Sequence, residues 1–286
     1  MTVLGAIALP QLPPERLRGV VEAADESGLD ELWLWEDCFL TSGVATMAAA
    51  LAWSGRLKVG VGLLPVPLRN VAIAAMELAT LHRLFPGRAH IGVGHGVQDW
   101  MGQVGARVAS PMTLLREHVT ALRQLLAGER VTVDGRYVHL DGVALDWPPA
   151  AAAPVLVGAS GPKTLRLAGE IGDGVIISAG NTPDDVRSAR TVIGDTPLVV
   201  YLHTATGPGS AERLEGERVR WGYDTIEDRA VTGDVDAVAE QVERWAGAGA
   251  DTVVLQPAPD DPDPEGFVRF AAAVAAVRRG TPAAAR

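Results

Sequence analysis

The sequence repeats one unit, a short apolar strand followed by an amphipathic helix. The clearest copy spans residues 57–96. In this copy the apolar run 59–64 predicts a buried strand, residues 71–85 have the apolar spacing of a helix, and residues 89–93 predict a second buried strand. A strand, a helix and a strand of this size form a right-handed crossover between parallel strands. The rest of the chain repeats this crossover, so the sequence predicts an α/β fold with a parallel sheet.

Eight short apolar strands are predicted along the chain. They cover residues 3–9, 31–35, 59–64, 89–93, 155–157, 174–178, 197–203 and 252–256. An eightfold alternation of strand and helix closes into a (β/α)8 TIM barrel, with functional groups at the carboxyl ends of the strands. We therefore predict a single barrel domain over residues 1–286. A doubly wound open sheet is the alternative, but the first strand–helix turn, Leu9-Pro10-Gln11, lacks the glycines of a dinucleotide-binding fingerprint.

Two gaps interrupt the regular spacing of the strands. The first holds an insertion over residues 97–153, after the fourth strand–helix unit. Within it, residues 97–110 predict a long loop over the site, a helix follows, and the alternation around Asp134 and Gly135 indicates a hairpin. The second gap, residues 204–232, is polar with weak helical signals and predicts no definite structure.

Composition excludes several kinds of partner. The net charge of −10 and the lack of a long basic cluster argue against nucleic acid. No apolar stretch reaches the length of a membrane span, and the first apolar run lacks the basic residues of a signal peptide. The single cysteine, Cys38, excludes an internal disulfide and suits a reducing compartment. We expect a cytoplasmic protein that acts on a small molecule, without nucleic-acid or membrane partners.

The predicted strand ends carry few groups for acid–base or metal chemistry. The residues that follow the strands are Gln11, Glu36, Asp37, Cys38, Gly62, Leu63, Leu64, His95, Gly96, residues 158–163, residues 178–181, His203 and Gln256. This set has neither paired histidines nor a carboxylate cluster, so no metal site is predicted. A phosphate-binding aldolase or isomerase barrel is also a poor match, because no inward lysine or pair of general-base carboxylates is present.

Residues 158–163 are the best anion site in the sequence. Their small side chains let backbone N–H groups approach a phosphate, Pro162 can begin a helix, and Lys163 adds a positive charge. An ordinary tight turn is the alternative interpretation. Large apolar residues near the same rim, Trp35, Phe39, Leu63, Leu64, Trp100 and Met101, suit a flat cofactor with a phosphate tail, although Trp35 and Met101 also suit the core.

Five segments in order resemble one known family. They are LDELWLWED (29–37), GVGLLPVPLRN (60–70), FPGRAHIGVGHG (85–96), PVLVGASGPKTLRLAGEIGDGVIIS (154–178) and GDVDAVAEQVERWAGAGADTVVL (233–255). The chain resembles the bacterial-luciferase-like flavin-dependent barrels, and is most similar to the branch that uses the deazaflavin coenzyme F420. That branch includes the methylene-tetrahydromethanopterin reductases.

The resemblance implies positions for the coenzyme. It places a non-prolyl cis peptide at Gly62–Leu63, in a bulge that backs the deazaflavin ring, and an acidic ring contact at Asp37. The residues implied to line the coenzyme are Asp37, Gly62, Leu63, Leu64, His95, Gly96 and Val97. Those implied to hold its phosphate-bearing side chain are Gly158, Ala159, Ser160, Gly161, Pro162, Lys163, Ser178, Ala179 and Gly180. Family members are often homodimers, so a homodimer is expected.

The chain departs from the family at several positions. Cys38 replaces a histidine that often follows the aspartate after the second strand. The sugar-phosphate dehydrogenases of the family have a glutamate at the position of Val97 and a lysine at that of Asn181, so a sugar phosphate substrate is not expected. The turn Arg69-Asn70-Val71 also departs from the proline-containing turn of the family.

The resulting hypothesis is a coenzyme F420-dependent oxidoreductase that transfers a hydride between the deazaflavin and a small organic substrate. The candidate catalytic residues are Asp37, for a polar contact or proton transfer, with His95 and Cys38 as secondary polar groups. One alternative keeps the fold but uses FMN and NAD(P)H as a monooxygenase. Another is a barrel that binds the coenzyme without catalytic activity.

Overall fold

The computed structural model describes residues 2–280; Met1 and residues 281–286, which the predicted domain includes, lie outside the described residues. The described strands are β1 (Val3–Ile7), β2 (Glu31–Leu34), β3 (Lys58–Pro65), β4 (Ala89–Gly94), β5 (Val131–Asp134), β6 (His139–Val143), β7 (Val155–Gly158), β8 (Gly174–Ile177), β9 (Leu198–Ala205), β10 (Ala230–Thr232) and β11 (Thr252–Gln256). The helices are α1 (Leu17–Ser27), α2 (Gly43–Trp53), α3 (Val71–Leu84), α4 (Gln98–Gln103), α5 (Pro111–Leu126), α6 (Pro162–Ile171), α7 (Pro183–Ile193), α8 (Ser210–Trp221), α9 (Val235–Gly247) and α10 (Pro264–Arg278). In the part of the chain described, no helix is long and apolar enough to cross a membrane.

The predicted (β/α)8 TIM barrel is confirmed. Strands β1, β2, β3, β4, β7, β8, β9 and β11 pair in parallel in that order, and the pairing of β11 with β1 closes the ring. The eight predicted strands correspond to these eight, with ends that differ by one or two residues. The short strand β10 pairs in parallel with the end of β9, so β9 has an additional neighbour at the rim. The carboxyl ends of all eight barrel strands meet at one mouth.

The insertion has the predicted hairpin and one helix that was not expected. Strands β5 and β6 pair antiparallel across the turn that contains Gly135. The prediction of a continuous loop over residues 97–110 is wrong in part, because Gln98–Gln103 forms the short helix α4. This helix buries only the side chain of Met101, which is too little apolar surface to show as a period in the sequence.

Most barrel strands point large side chains into the barrel, whereas β3 and β4 have glycines at the inward-facing positions. The cluster inside the barrel contains Ile7, Trp33, Leu156, Ile176, Val199, Tyr201 and Val254. Strands β3 and β4 face it with glycines: a Cβ at Gly60 would lie 2.5 Å from the Trp33 ring, and one at Gly92 would lie 2.5 Å from Ile176 Cδ1. The bulky residues of one half therefore fill the space left by the glycines of the other half.

Local capping explains several helix starts. The side chains of Ser42, Asn70, Thr182, Asp234 and Asp263 accept hydrogen bonds from the first backbone N–H groups of their helices. Each of these helices follows a strand or rim loop, so the caps help to fix the rim at the carboxyl end of the barrel.

Candidate active site

The end of β3 carries a bulge and the predicted cis peptide. The pairing of β3 with β4 shifts register between Val61 and Leu64, and the Gly62–Leu63 peptide bond is cis, as predicted. The hydroxyl of Tyr201 donates a hydrogen bond to the Gly62 carbonyl oxygen over 3.2 Å. Gly62 has no room for a side chain, since a Cβ there would lie 1.8 Å from Tyr201 Oη. Strand β9 therefore supports the bulge from across the barrel.

The bulge turns neighbouring side chains to opposite sides of the sheet. Leu63 Cδ2 lies 2.6 Å from where a Cβ would stand at Gly94 and 2.2 Å from where one would stand at Gly158. The structure thus brings together two predicted rim residues, Leu63 of β3 and Gly158 of β7, with Gly94 of β4, which was not among them. Leu64 instead belongs to the core outside the barrel, against Gly43 of α2. Its side chain does not join the Leu63 surface.

The end of β2 is anchored by Glu36, a strand-end carboxylate to which the sequence assigned no role. Glu36 accepts a hydrogen bond from Gly43 N over 2.7 Å and pairs with Arg69, with Oε2 to Nη2 at 2.7 Å. Arg69 also contacts Glu77, with Nε to Oε2 at 3.2 Å. The arginine that departs from the proline turn of the family therefore ties the β2 end to α3.

Asp37 and Cys38 follow this anchor, and both are half-buried. Burial raises the pKa of Asp37 above its ordinary value, and the positive charge of Arg220 opposes this shift. Burial also raises the pKa of the Cys38 thiol, with further contributions from the charges of Glu36 and Asp37. A thiol with a raised pKa is a weak nucleophile, so Cys38 suits a wall better than covalent chemistry. The Cys38–Phe39 peptide is a second cis bond, which the sequence did not predict.

His95 points toward the start of α5. Burial lowers the pKa of His95, which keeps the ring neutral, and a hydrogen bond to the Pro111 backbone partly opposes this shift. Its Nδ1 is buried without a hydrogen-bond partner among residues 2–280. Gly96 has φ of +68°, and a Cβ there would lie 2.9 Å from Pro65 Cβ, whereas Val97 is exposed. In the described structure no hydrogen bond joins His95 to Asp37 or Cys38.

The loop after β7 leaves a helix start open. Gly158 and Ala159 are buried, whereas Ser160, Pro162 and Lys163 are exposed. Helix α6 begins at Pro162, as predicted, and no side chain caps its first turn. No atom lies within 4 Å of where a Cβ would stand at Gly161. The first backbone N–H groups of α6 therefore face open space at the rim.

The loop after β8 lies next to it, because β7 and β8 are paired neighbours. Ser178 is exposed, and Ala179 packs against the cluster inside the barrel. Gly180 is buried with φ of +90°, and a Cβ there would lie 2.0 Å from Tyr223 Oη. Both predicted phosphate-holding loops therefore lie side by side.

A buried polar cluster at the ends of β9 and β11 was only partly visible in the sequence. His203 Nδ1 lies 3.5 Å from both Glu217 Oε2 and Gln256 Nε2, and its Nε2 lies 3.5 Å from Tyr223 Oη. Burial, followed by the charge of Arg220, lowers the pKa of His203 to about 4. Strand ends indicated His203 and Gln256. Helix α8, which carries Glu217, has little apolar surface and was not predicted.

Metal ligands do not cluster in this structure. No group of three or more histidine, cysteine, aspartate or glutamate residues in residues 2–280 is placed to hold a metal ion. The rim therefore offers glycine surfaces, open backbone N–H groups and a few polar side chains.

Comparison with known proteins identifies relatives of much of the chain. Residues 2–193 match the model of a family described as luciferase-like monooxygenase. The chain is 32% identical over 176 residues to a 5,10-methylenetetrahydromethanopterin reductase of Methanolobus tindarius, covering 62% of this chain and 54% of that protein. It is 29% identical over 265 residues to an F420-dependent glucose-6-phosphate dehydrogenase of Beutenbergia cavernae, covering 83% and 77%. The matched region thus spans about half of the reductase and most of the dehydrogenase.

The fold of this chain is also found in a solved structure. The coenzyme F420-dependent tetrahydromethanopterin reductase of Methanopyrus kandleri superimposes with a TM-score of 0.80, at 22% identity, over 95% of this chain and 97% of that one. At this identity the similarity establishes the architecture of the barrel.

Proposed function

Because the chain belongs to the luciferase-like monooxygenase family, we propose that it is an oxidoreductase that uses coenzyme F420. The proposed reaction is hydride transfer between the deazaflavin and a small organic substrate. The named activities of the dehydrogenase and of the solved reductase support this choice of coenzyme. The proposal treats residues 1–286 as one barrel domain with an insertion over 97–153.

One structural observation carries the proposal. A glycine-lined surface and an open helix start lie on the same side of the barrel mouth, on strands that are neighbours in the sheet. Gly62, Gly94 and Gly158 come from β3, β4 and β7, and α6 follows β7 directly. Gly94 and Gly158 let the Leu63 side chain lie against the ends of β4 and β7, and the uncapped N–H groups suit a phosphate. The residues present therefore fit a flat ring with a phosphate-bearing tail.

The residues have distinct roles in this proposal. Gly62, Leu63 and residues 95–97 hold the ring, and residues 158–163 and 178–180 hold the tail. When bound, the deazaflavin supplies the site that accepts or donates the hydride. Burial raises the pKa of Asp37, so its carboxyl group keeps a proton to a higher pH than that of an ordinary aspartate. Neutral His95 and Cys38 form secondary polar positions.

The test is a titration of the purified protein with coenzyme F420 and, separately, with FMN. Binding is measured by the change in coenzyme fluorescence. We expect F420 to bind, and Gly158→Ala to abolish binding because its Cβ would collide with Leu63. Gly216→Ala is the matched control, since Gly216 is exposed on α8 with no atom within 4 Å of its Cβ position. Circular dichroism checks that both variants fold. An unaltered protein without affinity for either coenzyme would remove the proposal.

The family description favours a second candidate, an FMN-dependent monooxygenase that uses NAD(P)H. Tight FMN binding with oxygen-dependent oxidation of the reduced flavin would select it, because reduced deazaflavin reacts poorly with oxygen. A protein that binds F420 but shows no turnover over a panel of alcohols, aldehydes and pterins would be the non-catalytic alternative.

We also propose a cytoplasmic homodimer. Large apolar side chains are exposed together around the β2 end and α3: Phe39 is 63%, Leu40 53%, Ile73 50% and Met76 56% exposed. Grouped apolar exposure of this kind marks association surfaces. Sedimentation should give a dimer that Ile73→Asp weakens, with Val192→Asp on the exposed face of α7 as the control. A monomer in the unaltered protein at micromolar concentration would contradict this part of the proposal.

A further inference from the structure

In the loop after β8, each backbone carbonyl group of residues 178–181 accepts a hydrogen bond from a side chain. Asn181 Nδ2 donates to Ser178 O over 2.7 Å, within the loop itself. The next three carbonyls are bonded by residues from far along the chain. Tyr223 Oη donates to Ala179 O over 3.4 Å, Arg229 donates to Gly180 O, and Trp245 Nε1 donates to Asn181 O over 2.9 Å.

These bonds determine where the backbone N–H groups point. In a trans peptide the C=O of one residue and the N–H of the next point in opposite directions. The N–H groups of Gly180 and Asn181 therefore point away from Tyr223 and Arg229. Among the described residues none of the N–H groups of Ala179, Gly180 and Asn181 has a protein acceptor. Unpaired backbone N–H groups in a row form an anion-binding concavity.

The three donors all lie on one side of this loop. Tyr223 and Arg229 lie between α8 and β10, and Trp245 lies on α9, so they approach from the β9 side of β8. The opposite side is the β7 side, where residues 158–163 leave the start of α6 open. The open start of α6 and the loop after β8 are therefore neighbours at the rim.

Tyr223 and Arg229 also support each other. The guanidinium of Arg229 lies 5.1 Å from the centre of the Tyr223 ring and 3.8 Å from Asp185 Oδ2. Tyr223 Oη fills the space where Gly180 would carry a side chain. Any residue other than glycine at position 180 would displace the hydroxyl that bonds Ala179 O.

We propose that Tyr223, Arg229 and Trp245 are positioning residues that orient residues 178–181 to bind the phosphate of the coenzyme. They act through the loop and do not themselves contact the reacting atoms. This inference rests on the proposed function, since it assigns the support for the same tail site. It extends that site to the segment 204–232 and to α9, to which neither the sequence nor the comparisons assign a role.

The experiment compares a ligand that has the phosphate with one that lacks it. Dissociation constants are measured for coenzyme F420 and for its phosphate-free deazaflavin precursor, with unaltered protein, Tyr223→Phe and Arg229→Met. Loss of one hydrogen bond that orients the loop should weaken F420 binding about 5- to 10-fold in Tyr223→Phe, and further in Arg229→Met. Binding of the phosphate-free ligand should stay unchanged, because the ring lies on the β3 side.

Tyr137→Phe is the matched control. It removes the same hydroxyl group from the hairpin insertion, where Tyr137 Oη accepts a hydrogen bond from Ser110 N over 2.9 Å. This variant should bind both ligands as the unaltered protein does. Hydrogen exchange supplies a second readout: F420 should protect the amides of Ala179, Gly180 and Asn181, and the phosphate-free ligand should not.

The outcomes separate the inference from the proposed function. Equal weakening of both ligands in Tyr223→Phe, or no weakening of either, would overturn the inference while F420 binding stands. If the unaltered protein binds FMN in place of F420, the same comparison with FMN and riboflavin tests the inference. Binding of neither coenzyme would remove the proposed function, and the positioning role with it.

Discussion

At the scale of single residues, glycines decide the shape of the candidate site. Gly62, Gly94 and Gly158 each occupy a position where a Cβ would overlap a neighbouring side chain by a wide margin. Their partners are Tyr201 Oη for the first and Leu63 for the other two. Glycine normally destabilises a strand and is kept where a neighbouring group approaches closely. The close approach of Tyr201 and Leu63 therefore explains the glycines at these three positions.

Gly62→Ala should therefore destabilise the barrel by about 2 kcal/mol or more, as overpacking of a closed core does. The added Cβ would lie 1.8 Å from Tyr201 Oη, and the hydroxyl is the first atom in its way. Tyr201→Phe removes that atom, so the double variant should recover part of the lost stability. Urea unfolding of the four proteins measures this coupling, and strictly additive losses would contradict the proposed contact.

Buried histidines make stability depend on pH. Burial, with a contribution from Arg69, lowers the pKa of His118 from 6.5 to about 4, and His203 is lowered to about 4 as well. The unfolded chain therefore binds more protons than the folded one between these values. The contribution of these histidines to the free energy of unfolding is fully present above about pH 6.5. It is lost as the pH falls toward 4, by about 1 kcal/mol per pH unit for each histidine.

His118→Gln should reduce the slope of this loss by up to about 1 kcal/mol per pH unit, since the proton linked to His118 no longer contributes. The free energy of unfolding is measured by urea at several values between pH 7 and pH 5, a range chosen from the shifted pKa of His118. A slope identical to that of the unaltered protein would show that His118 is not buried in its neutral form.

At the scale of elements, ion pairs fix the loop that carries Asp37. The side chains of Glu36 and Arg69 are only 9% and 16% exposed, so both charges have left water and depend on each other. Together they connect the end of β2 to the turn before α3, and Gly43 N adds a hydrogen bond at the start of α2.

Arg69→Met should cost about 3 kcal/mol, because it leaves the Glu36 carboxylate buried without its partner. Glu77→Gln is the control, since Glu77 is 33% exposed and its loss should cost less than about 1 kcal/mol. Chemical denaturation compares the two variants. Arg69→Met should also weaken coenzyme binding, because the loop that holds Asp37 loses its anchor; equal stability of both variants would refute this account.

At the scale of the whole molecule, the barrel closes where its first and last strands meet. Strand β1 pairs with β11, and α10 packs against β1, α1 and α9 over that seam. Val274 is fully buried in this contact, whereas Arg269 of the same helix is exposed. A closed sheet has no free edges, so damage at the seam affects every strand.

Val274→Asp should thus lower stability by more than about 4 kcal/mol, because a carboxylate would be buried without a partner. The loss should appear in one cooperative transition seen by both tryptophan fluorescence and circular dichroism. Arg269→Gln should change stability by less than about 1 kcal/mol. Separate transitions by the two probes in Val274→Asp would indicate that the seam opens independently of the barrel.

Local chemistry was enough to predict most of the architecture. The eight barrel strands are short continuous apolar runs, which predict strands that are buried on both faces. Glycines and prolines in the turns mark the ends of these strands. The hairpin in the insertion and the cap at Asp234 follow from local residues in the same way. The family resemblance added the cis peptide at Gly62–Leu63, which periodicity alone does not indicate.

Only the tertiary structure decided which polar side chains far apart in the sequence contact each other. Helix α8 has a mostly polar sequence, and its Glu217 is buried beside His203 of β9. Three of the four donors to the loop after β8, Tyr223, Arg229 and Trp245, are 44 to 64 positions away, and Arg69 contacts Glu36 across 33 positions. Hydrophobic patterning records which face of an element is buried, whereas polar partners at such separations are specified only by how the strands close into a ring.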